Sequence, residues 1–262
     1  MNRIIAVCHS LGGDGLTGAN VFLASLLKTF QRDRFATIHI LHGPTISREH
    51  FLADAPLHLH AMPEKRPGYG TLCHMCDLPF YPDDFVMHVD FRDSFFQRFP
   101  FSCLDYSFDK VHVFAENSQQ PLDKEPNNLL WLRRLHSSGS HLPAFLNGKP
   151  VICFGVIGAG RWGLFQQHLK TIVRRIIDTD RFFGLDQAVL TSLVHEHPEN
   201  YILHSNEDGP VMHLHTQPPV LESRDGKLII KTTKGIVPAV VHQYDRYPEL
   251  LKIVHATYSR SG

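Results

Sequence analysis

The first forty residues carry the pattern of a β-strand, an α-helix and a second β-strand. Residues 4–7 form a short apolar run, and a flexible turn with three glycines follows at residues 12–15. Apolar residues at helical spacing occupy positions 21–30, and residues 37–41 form the second candidate strand. A strand, a helix and a strand in this order imply parallel strands with covering helices, and therefore an α/β fold.

Further strands and one long helix follow in the rest of the chain. Residues 85–89 and 111–114 are candidate strands. Residues 151–157 are almost entirely apolar, which predicts a strand in the centre of the sheet. Apolar residues within 164–177 mark one face of a long amphipathic helix.

The last third of the chain changes character. Short candidate strands alternate there with turns at residues 208–209 and 225–226, both Asp-Gly, which predicts antiparallel hairpins. The length of 262 residues, of which 43% are hydrophobic, suits one large domain. We therefore expect a single domain over residues 1–262, with a twisted, mainly parallel sheet flanked by helices and antiparallel hairpins in the C-terminal half.

The overall composition gives expectations about the partners and the cellular compartment of the chain. Lys plus Arg and Asp plus Glu number 26 each, so the net charge gives no argument for nucleic acid or an anionic membrane as partner. We find no secretory leader and no apolar run long enough to span a bilayer, and expect no transmembrane segment. The five cysteines are scattered, which favours a reduced, cytoplasmic protein. Cys73 and Cys76 lack a second pair at zinc-finger spacing, so ordinary thiols are favoured there.

Nineteen histidines are many for this length. Most lie in alternating contexts such as residues 57–60 and 211–215, where every second residue is expected to face water. This pattern predicts strand surface better than it predicts an array of metal ligands.

A glycine-rich run at residues 158–163 imitates the Gly-x-Gly-x-x-Gly turn of dinucleotide-binding proteins. That turn should be followed by a helix, and then by a strand ending in an acidic residue about 20 residues later. The helix is expected, but residues 174–181 show no such strand, and only 104 residues follow Gly158. An NAD(P)-dependent oxidoreductase therefore remains only as an alternative.

An acidic turn stands directly after the candidate strand at residues 85–89. If the chain bends after Val89, the carboxylates of Asp90 and Asp93 can converge on one hard cation at the carboxyl end of the strand. Carboxylate oxygens suit Mg²⁺ or Mn²⁺. The competing interpretation is a solvated turn in which Arg92 pairs with one of its neighbours.

Several motifs in order resemble those of the A-type (GT-A fold) glycosyltransferases, including glycogenin-like and procollagen-glycosylating enzymes. Residues 90–97, followed by 100–101, resemble the Asp-x-x-Asp variant of their metal motif. The apolar run with glycine at 153–158, the Asp-Gln pair at 186–187 and the strand with histidine at 235–246 resemble later motifs of these enzymes. The resemblance covers roughly residues 85–250.

The resemblance implies a metal-dependent enzyme with a GT-A fold that transfers a sugar, such as a hexose, from a nucleoside-diphosphate sugar to a hydroxyl acceptor. The acceptor would be a glycan or glycoconjugate. Residues 1–115 would bind the nucleotide, and residues 150–262 the donor sugar and the acceptor. The site residues that it implies are Asp90, Asp93 and His242 for Mn²⁺ or Mg²⁺, Asp90, Arg92, Gly155, Gly158 and Arg246 for the donor, and Asp186 and Gln187 for catalysis.

Some residues also have a simpler interpretation. Asp186 can be the N-cap of a helix, and Asp245 and Arg246 can form a local ion pair. Trp162 can stack on a sugar or lie in the core. Cys153 and Phe154 stand where many relatives carry Asn or Ser, which keeps open a second alternative, a non-catalytic module that binds sugar nucleotides or glycans.

Overall fold

The computed structural model describes the chain except for residues 13–14, 52–54, 63–68, 107–108, 118–119, 138–140, 216, 225–226 and 259–262. Its strands are β1 Asn2–Cys8, β2 Thr37–His42, β3 Leu57–Ala61, β4 Phe85–His88, β5 Ser94–Phe96, β6 Val111–Phe114, β7 Gly158–Arg161, β8 Tyr201–His204, β9 Val211–His213, β10 Val220–Arg224, β11 Lys227–Lys231 and β12 Val240–His242. Its helices are α1 Gly15–Lys28, α2 Gly70–Cys76, α3 Pro126–Leu135, α4 Trp162–Ile177, α5 Leu185–Glu196 and α6 Pro248–Tyr258.

A seven-stranded sheet forms the centre of the molecule, in the order β3-β2-β1-β4-β7-β6-β8. The pairs β1–β2, β1–β4, β2–β3 and β6–β8 are parallel. Successive residues of β1 point to opposite faces, so Ile4 and Ala6 join one core cluster with α1, while Ile5 joins the other with α2, α4 and α5. The predicted α/β fold with a mainly parallel sheet is confirmed.

The predicted strand at residues 151–157 is wrong. Only Ile152 makes an isolated bridge there, to Ala115, and a 3₁₀ turn spans Phe154–Val156. The strand is instead β7, the glycine-rich segment, which runs antiparallel between β4 and β6. The apolar pattern nevertheless predicted burial correctly, because residues 151–153, 156 and 157 are buried. It did not predict the conformation of the segment.

The glycines of β7 therefore lie inside a strand rather than in a turn. A Cβ at Gly158 would press on the backbone carbonyl of His112 at 2.8 Å, so this position lets two strands approach closely. A dinucleotide-binding turn needs the glycines between a parallel strand and its helix, and here that arrangement is missing. The interpretation of residues 158–163 as such a turn is wrong.

Two smaller sheets complete the C-terminal part. Strands β10 and β11 form an antiparallel hairpin, whose turn at residues 225–226 lies outside the described residues. The hairpin predicted at Asp208-Gly209 is wrong, because β8 belongs to the large sheet whereas β9 belongs to the three-stranded sheet β5-β12-β9. In that sheet β12 pairs antiparallel with β5 and parallel with β9.

Helix α4 has the amphipathic character expected from residues 164–177. Its buried side chains include Phe165, Leu169 and Ile172, while Ile177 is exposed. No helix in the described part of the chain combines the length and apolarity needed to cross a bilayer.

Candidate functional site

The acidic turn after β4 marks the point where the chain leaves the large sheet. The backbone NH of Asp90 donates to the carbonyl of Gly155 at 2.7 Å, and a carboxylate oxygen of Asp90 accepts from the NH of Arg92 at 3.1 Å. Strand β5 then begins at Ser94 in the smaller sheet. A Cβ at Gly18 in α1 would overlap the carbonyl oxygen of Arg92, so this helix packs directly on the turn. The chain bends here as the sequence predicts.

The bend brings together the three side chains predicted as metal ligands. In the small sheet His242 of β12 stands opposite Ser94 of β5, and its Nε2 lies 3.3 Å from Oδ1 of Asp93. One ligand atom from each of Asp90, Asp93 and His242 lies within 4.8 Å of the other two. Two carboxylates and an imidazole form a donor set that suits Mn²⁺. These residues therefore fit the cation that the resemblance implies.

The three groups influence each other's protonation strongly. Burial and the neighbouring Asp93 raise the pKa of Asp90. Burial tends to raise the pKa of Asp93 too, but His242 and Arg92 outweigh it and the pKa lies below its ordinary value. Burial acts to lower the pKa of His242, yet Cys153 and Asp93 raise it well above the usual value. Nε2 of His242 and Oδ1 of Asp93, 3.3 Å apart and nearly fully buried, thus form an ion pair.

A cavity of about 810 Å³ opens beside this group. Its wall includes residues 8–10 at the end of β1, Asp90 and Arg92 after β4, and residues 184–187 at the start of α5. The cavity therefore lies at the carboxyl ends of β1 and β4, and this is the edge at which open α/β sheets bind their ligands. Asp93 and His242 lie outside this wall, only 3% and 2% exposed.

Gly155 connects the cavity with the buried histidine. It lines the cavity, and a Cβ at this position would overlap Cε1 and Nε2 of His242. Of the two glycines predicted to approach the donor, Gly155 therefore lies at the cavity wall, whereas Gly158 lies in β7 and outside it.

Replacing Gly155 with alanine is expected to weaken Mn²⁺ binding at least about tenfold, because the added methyl group pushes the imidazole of His242 from its position. Overpacking of this kind also costs about 1–3 kcal/mol of stability. Isothermal titration with Mn²⁺ measures the first effect and urea denaturation the second. Gly160→Ala is the matched control, since its nearest contact would be 3.4 Å away. Equal Mn²⁺ affinity in the two variants would contradict this prediction.

The two arginines predicted at the donor site lie in different surroundings. Arg92 lines the cavity and its guanidinium is 3.4 Å from Asp245 and 3.7 Å from Asp93. Arg246 is exposed and outside the cavity wall, and its nearest carboxylate partner is Asp245 at 3.9 Å. The local pairing of Asp245 with Arg246 is present, and Asp245 also pairs with Arg92.

Asp186 and Gln187 lie in the first turn of α5, but Asp186 does not occupy the N-cap position. The N-cap is Gly184, which has a φ of 81° and leaves no room for a Cβ beside Trp131. The predicted N-cap role of Asp186 is therefore wrong: it is the second helical residue and its side chain is open to the cavity. Desolvation by the surrounding protein raises the pKa of its carboxyl.

Gln187 is held by hydrogen bonds on both ends of its side-chain amide. Its Nε2 donates to Glu116 at 3.1 Å and to Asn128 at 2.8 Å, and its Oε1 accepts from the NH of Phe154 at 3.3 Å. Burial raises the pKa of Glu116. Glu116 was not predicted from the sequence, although its place just after β6 was a usable signal.

Other candidates lie in the core or away from the cavity. Trp162 is 3% exposed and packs against Phe80 with ring centroids 5.0 Å apart, so its interpretation as a core residue is confirmed. Cys73 and Cys76 lie in α2, and neither belongs to a group of metal-binding side chains within the described residues. The expectation that histidines of residues 211–215 face water is wrong for His213, which is fully buried.

No protein-family model matches this sequence. No curated protein sequence matches it significantly either. Among solved structures, the chain is similar to the galactosyltransferase LgtC in complex with donor and acceptor sugar analogues, with a TM-score of 0.59 and 12% identity over 98% of this chain and 96% of that one. It is also similar to an active-site glutamine-to-glutamate mutant of LgtC, with a TM-score of 0.56 and 13% identity over 97% and 96% of the two chains. The protein thus has the fold of the GT-A glycosyltransferases.

Proposed function

We propose that this chain is a metal-dependent glycosyltransferase, which moves a sugar from a nucleoside-diphosphate sugar to a hydroxyl group of a carbohydrate or glycoconjugate acceptor. The observation that carries the proposal is the convergence of Asp90, Asp93 and His242 beside a large cavity, in a chain with the GT-A fold. The oxidoreductase alternative does not account for this convergence, because it does not need these ligands and residues 158–161 form strand β7 rather than a dinucleotide-binding turn. The non-catalytic module would share this site and differs from the transferase only in turnover.

In this proposal Asp90, Asp93 and His242 hold Mn²⁺, or less favourably Mg²⁺. The imidazole nitrogen favours Mn²⁺, since Mg²⁺ prefers an all-oxygen environment. When bound, the cation neutralises charge that develops on the departing nucleoside diphosphate. Asp90 lines the cavity and so stands between the ion and the donor. Arg92 contributes a second positive charge at the same wall.

The residues at the start of α5 act on the sugar side of the cavity. Asp186 places a carboxyl group against the space for the donor sugar, where an ionised carboxylate stabilises positive charge on the reacting carbon. Gln187 is a positioning residue in this proposal, because its amide is already used by Glu116, Asn128 and Phe154. It fixes the backbone beside Gly155 and, through it, the shape of the cavity.

We further propose that residues 1–115 bind the nucleotide and residues 150–262 the donor sugar and acceptor, within one domain, and that the transferred sugar is a hexose. Residues 8–10, from the first half, and residues 184–187, from the second half, both line the cavity. Arg246 can contribute to diphosphate binding only if its exposed side chain turns toward the cavity. All five cysteines are free thiols, as expected of a protein in the reducing cytoplasm.

The test of this function is sugar transfer itself. The chain is incubated with UDP- and GDP-hexoses and a panel of carbohydrate acceptors, with Mn²⁺ or with EDTA, and release of nucleoside diphosphate is measured. We expect release with at least one donor, dependent on Mn²⁺ and lowered by Asp186→Asn. Tight donor binding with neither transfer nor hydrolysis would select the non-catalytic module instead.

A further inference from the structure

A second group of metal-binding side chains lies directly behind the first one. It consists of Cys153, His213 and His242, and one ligand atom from each lies within 4.8 Å of the other two. All three side chains are buried, with exposures of 1%, 0% and 2%. We call this group the inner group, and Asp90, Asp93 and His242 the outer group. Only His242 belongs to both.

The inner group results from the pairing of two parallel strands. His213 of β9 and His242 of β12 are register partners, and their Nδ1 atoms are 2.9 Å apart. Cys153 comes from the segment after β6, where its NH donates to the carbonyl of Phe114, and its Sγ lies 3.6 Å from Nδ1 of His242. Nε2 of His213 has no hydrogen-bond partner among the described residues, so its ring makes its polar contact only through Nδ1.

These separations are close to those around a tetrahedral zinc ion. With Zn–N bonds of about 2.0–2.1 Å and Zn–S bonds of about 2.3 Å, two nitrogen ligands lie about 3.3 Å apart, and nitrogen and sulfur about 3.6 Å apart. The distance of 3.6 Å from Sγ of Cys153 to Nδ1 of His242 already agrees with this geometry. The Nδ1 atoms of His213 and His242, which are 2.9 Å apart, would need to separate by about 0.4 Å.

The two groups differ in the cations that they prefer. A thiolate with two imidazoles is a borderline-soft donor set that suits Zn²⁺, whereas the two carboxylates of the outer group suit Mn²⁺. His213 is fully buried and its Nδ1 lies 2.9 Å from Nδ1 of His242, so the ring nitrogen that a metal would use already points into the inner group. A bound Zn²⁺ must displace two protons to solvent, one from the Cys153 thiol and one from Nδ1 of His242, which is protonated in its ion pair with Asp93.

We propose that Cys153, His213 and Nδ1 of His242 form a site for Zn²⁺, and that this inner site competes with the outer group for His242. Nδ1 of His242 faces the inner group and Nε2 faces Asp93. A neutral imidazole has one lone pair in its ring plane, so it binds one cation at a time. Zinc in the inner site therefore removes one ligand from the outer group. Only this competition rests on the proposed function, and zinc binding does not.

Zinc binding is tested on the full chain after treatment with a chelator. Zn²⁺ is titrated by calorimetry, and Co²⁺ serves as a spectroscopic probe because a cobalt–thiolate bond gives a charge-transfer band. We expect one Zn²⁺ per chain, a cobalt–thiolate band, and at least about tenfold weaker Zn²⁺ binding in Cys153→Ser and in His213→Gln. Cys76→Ser is the matched control, since Cys76 is also a buried thiol but lies in α2.

Two results would overturn the inner site. The first is the absence of stoichiometric Zn²⁺ binding. The second is Zn²⁺ binding that is lost in Asp93→Asn and kept in Cys153→Ser, which would place zinc in the outer group. Circular dichroism of each variant shows whether it is folded, and a loss of binding in Cys153→Ser with an unchanged spectrum is assigned to the lost thiolate.

Competition is tested by measuring the affinity for Mn²⁺ with and without one equivalent of Zn²⁺, using the paramagnetic signal of free Mn²⁺. We expect Zn²⁺ to weaken Mn²⁺ binding at least about tenfold in the wild type and to have little effect in Cys153→Ser. Equal weakening in both proteins would overturn the competition. Zn²⁺ binding without any Mn²⁺ binding would instead contradict the proposed function and leave the inner site standing.

Discussion

Replacing Asp93 with asparagine is expected to weaken Mn²⁺ binding more than about 100-fold, because loss of a direct ligand should cost more than the roughly 10–100-fold cost of losing an outer partner. Asp93 is nearly fully buried and its carboxylate lies 3.3 Å from Nε2 of His242. The substitution keeps the shape of the side chain but removes its negative charge. Isothermal titration of the metal-free variant with Mn²⁺ measures the effect.

A neighbouring carboxylate provides the matched control. Asp245 pairs with Arg92 and Arg246 but does not belong to the outer group, so Asp245→Asn should change the Mn²⁺ affinity by less than about threefold. Urea denaturation of both variants shows whether either substitution unfolds the protein. Similar Mn²⁺ affinities for Asp93→Asn and Asp245→Asn would contradict the assignment of Asp93 as a ligand.

Lowering the pH from 7.5 to about 5 is expected to reduce the free energy of unfolding by several kcal/mol, because buried histidines are kept neutral in the folded chain. Burial, with a contribution from neighbouring histidines, lowers the pKa of His39 and of His88 to about 3. Burial likewise lowers the pKa of His168 and of His204 to about 4. Protonating them costs free energy only in the folded state.

The direction of this effect follows from the order of the two pKa values. In the unfolded chain histidine titrates near 6.5, so below that pH the unfolded state binds more protons than the folded state. The stability is therefore fully present above 6.5 and is lost as the pH falls from 6.5 toward 3–4, at about 1.4 kcal/mol per pH unit for each histidine. His242 does not contribute in this range, because its raised pKa makes its stabilisation disappear only as the pH rises.

Some carboxyl groups act in the opposite direction and reduce the net effect. Raised pKa values are found for four carboxyl groups, those of Asp90, Glu116, Asp186 and Asp245. As the pH falls, the folded state binds these protons at a higher pH than the unfolded state does, and this stabilises the folded state. The net result should nevertheless be acid sensitivity, because nine described histidines have lowered pKa values, against these four carboxyl groups.

Urea denaturation at several pH values between 7.5 and 5 checks this prediction. One variant shows how much of the pH dependence of stability comes from a single buried histidine. His168→Gln should lower the dependence of stability on pH by up to about 1.4 kcal/mol per pH unit, since one buried histidine is removed. His141→Gln is the control, because His141 is exposed. Stability that is constant down to about pH 5 would show that the buried histidines do not govern acid unfolding.

The convergence of Asp90, Asp93 and His242 could be predicted in part from local features of the sequence. Asp90 and Asp93 follow directly on an apolar strand, and such a strand must end before the chain can turn. His242 ends another apolar strand, and the ends of neighbouring strands meet at one edge of a sheet. The resemblance to the GT-A enzymes supplied the remaining link, that the two strands are close together.

The inner group and the position of β7 could not be predicted in the same way. An apolar run such as residues 151–157 indicates burial, but a buried irregular segment and a buried strand have the same composition. His213 and His242 meet because β9 and β12 are parallel neighbours in register, although the two residues are 29 positions apart along the chain. Glu116 and Gln187, which are 71 residues apart, likewise meet only once the strand order is known.

Calorimetric binding of UDP and GDP, each with Mn²⁺ and with EDTA, and of NADH as the comparison ligand separates the proposed transferase from an oxidoreductase. The proposed function predicts that at least one nucleoside diphosphate binds with Mn²⁺, that EDTA abolishes this binding, and that NADH does not bind. Binding of NADH that is insensitive to EDTA, with no metal-dependent binding of either nucleotide, would contradict the account.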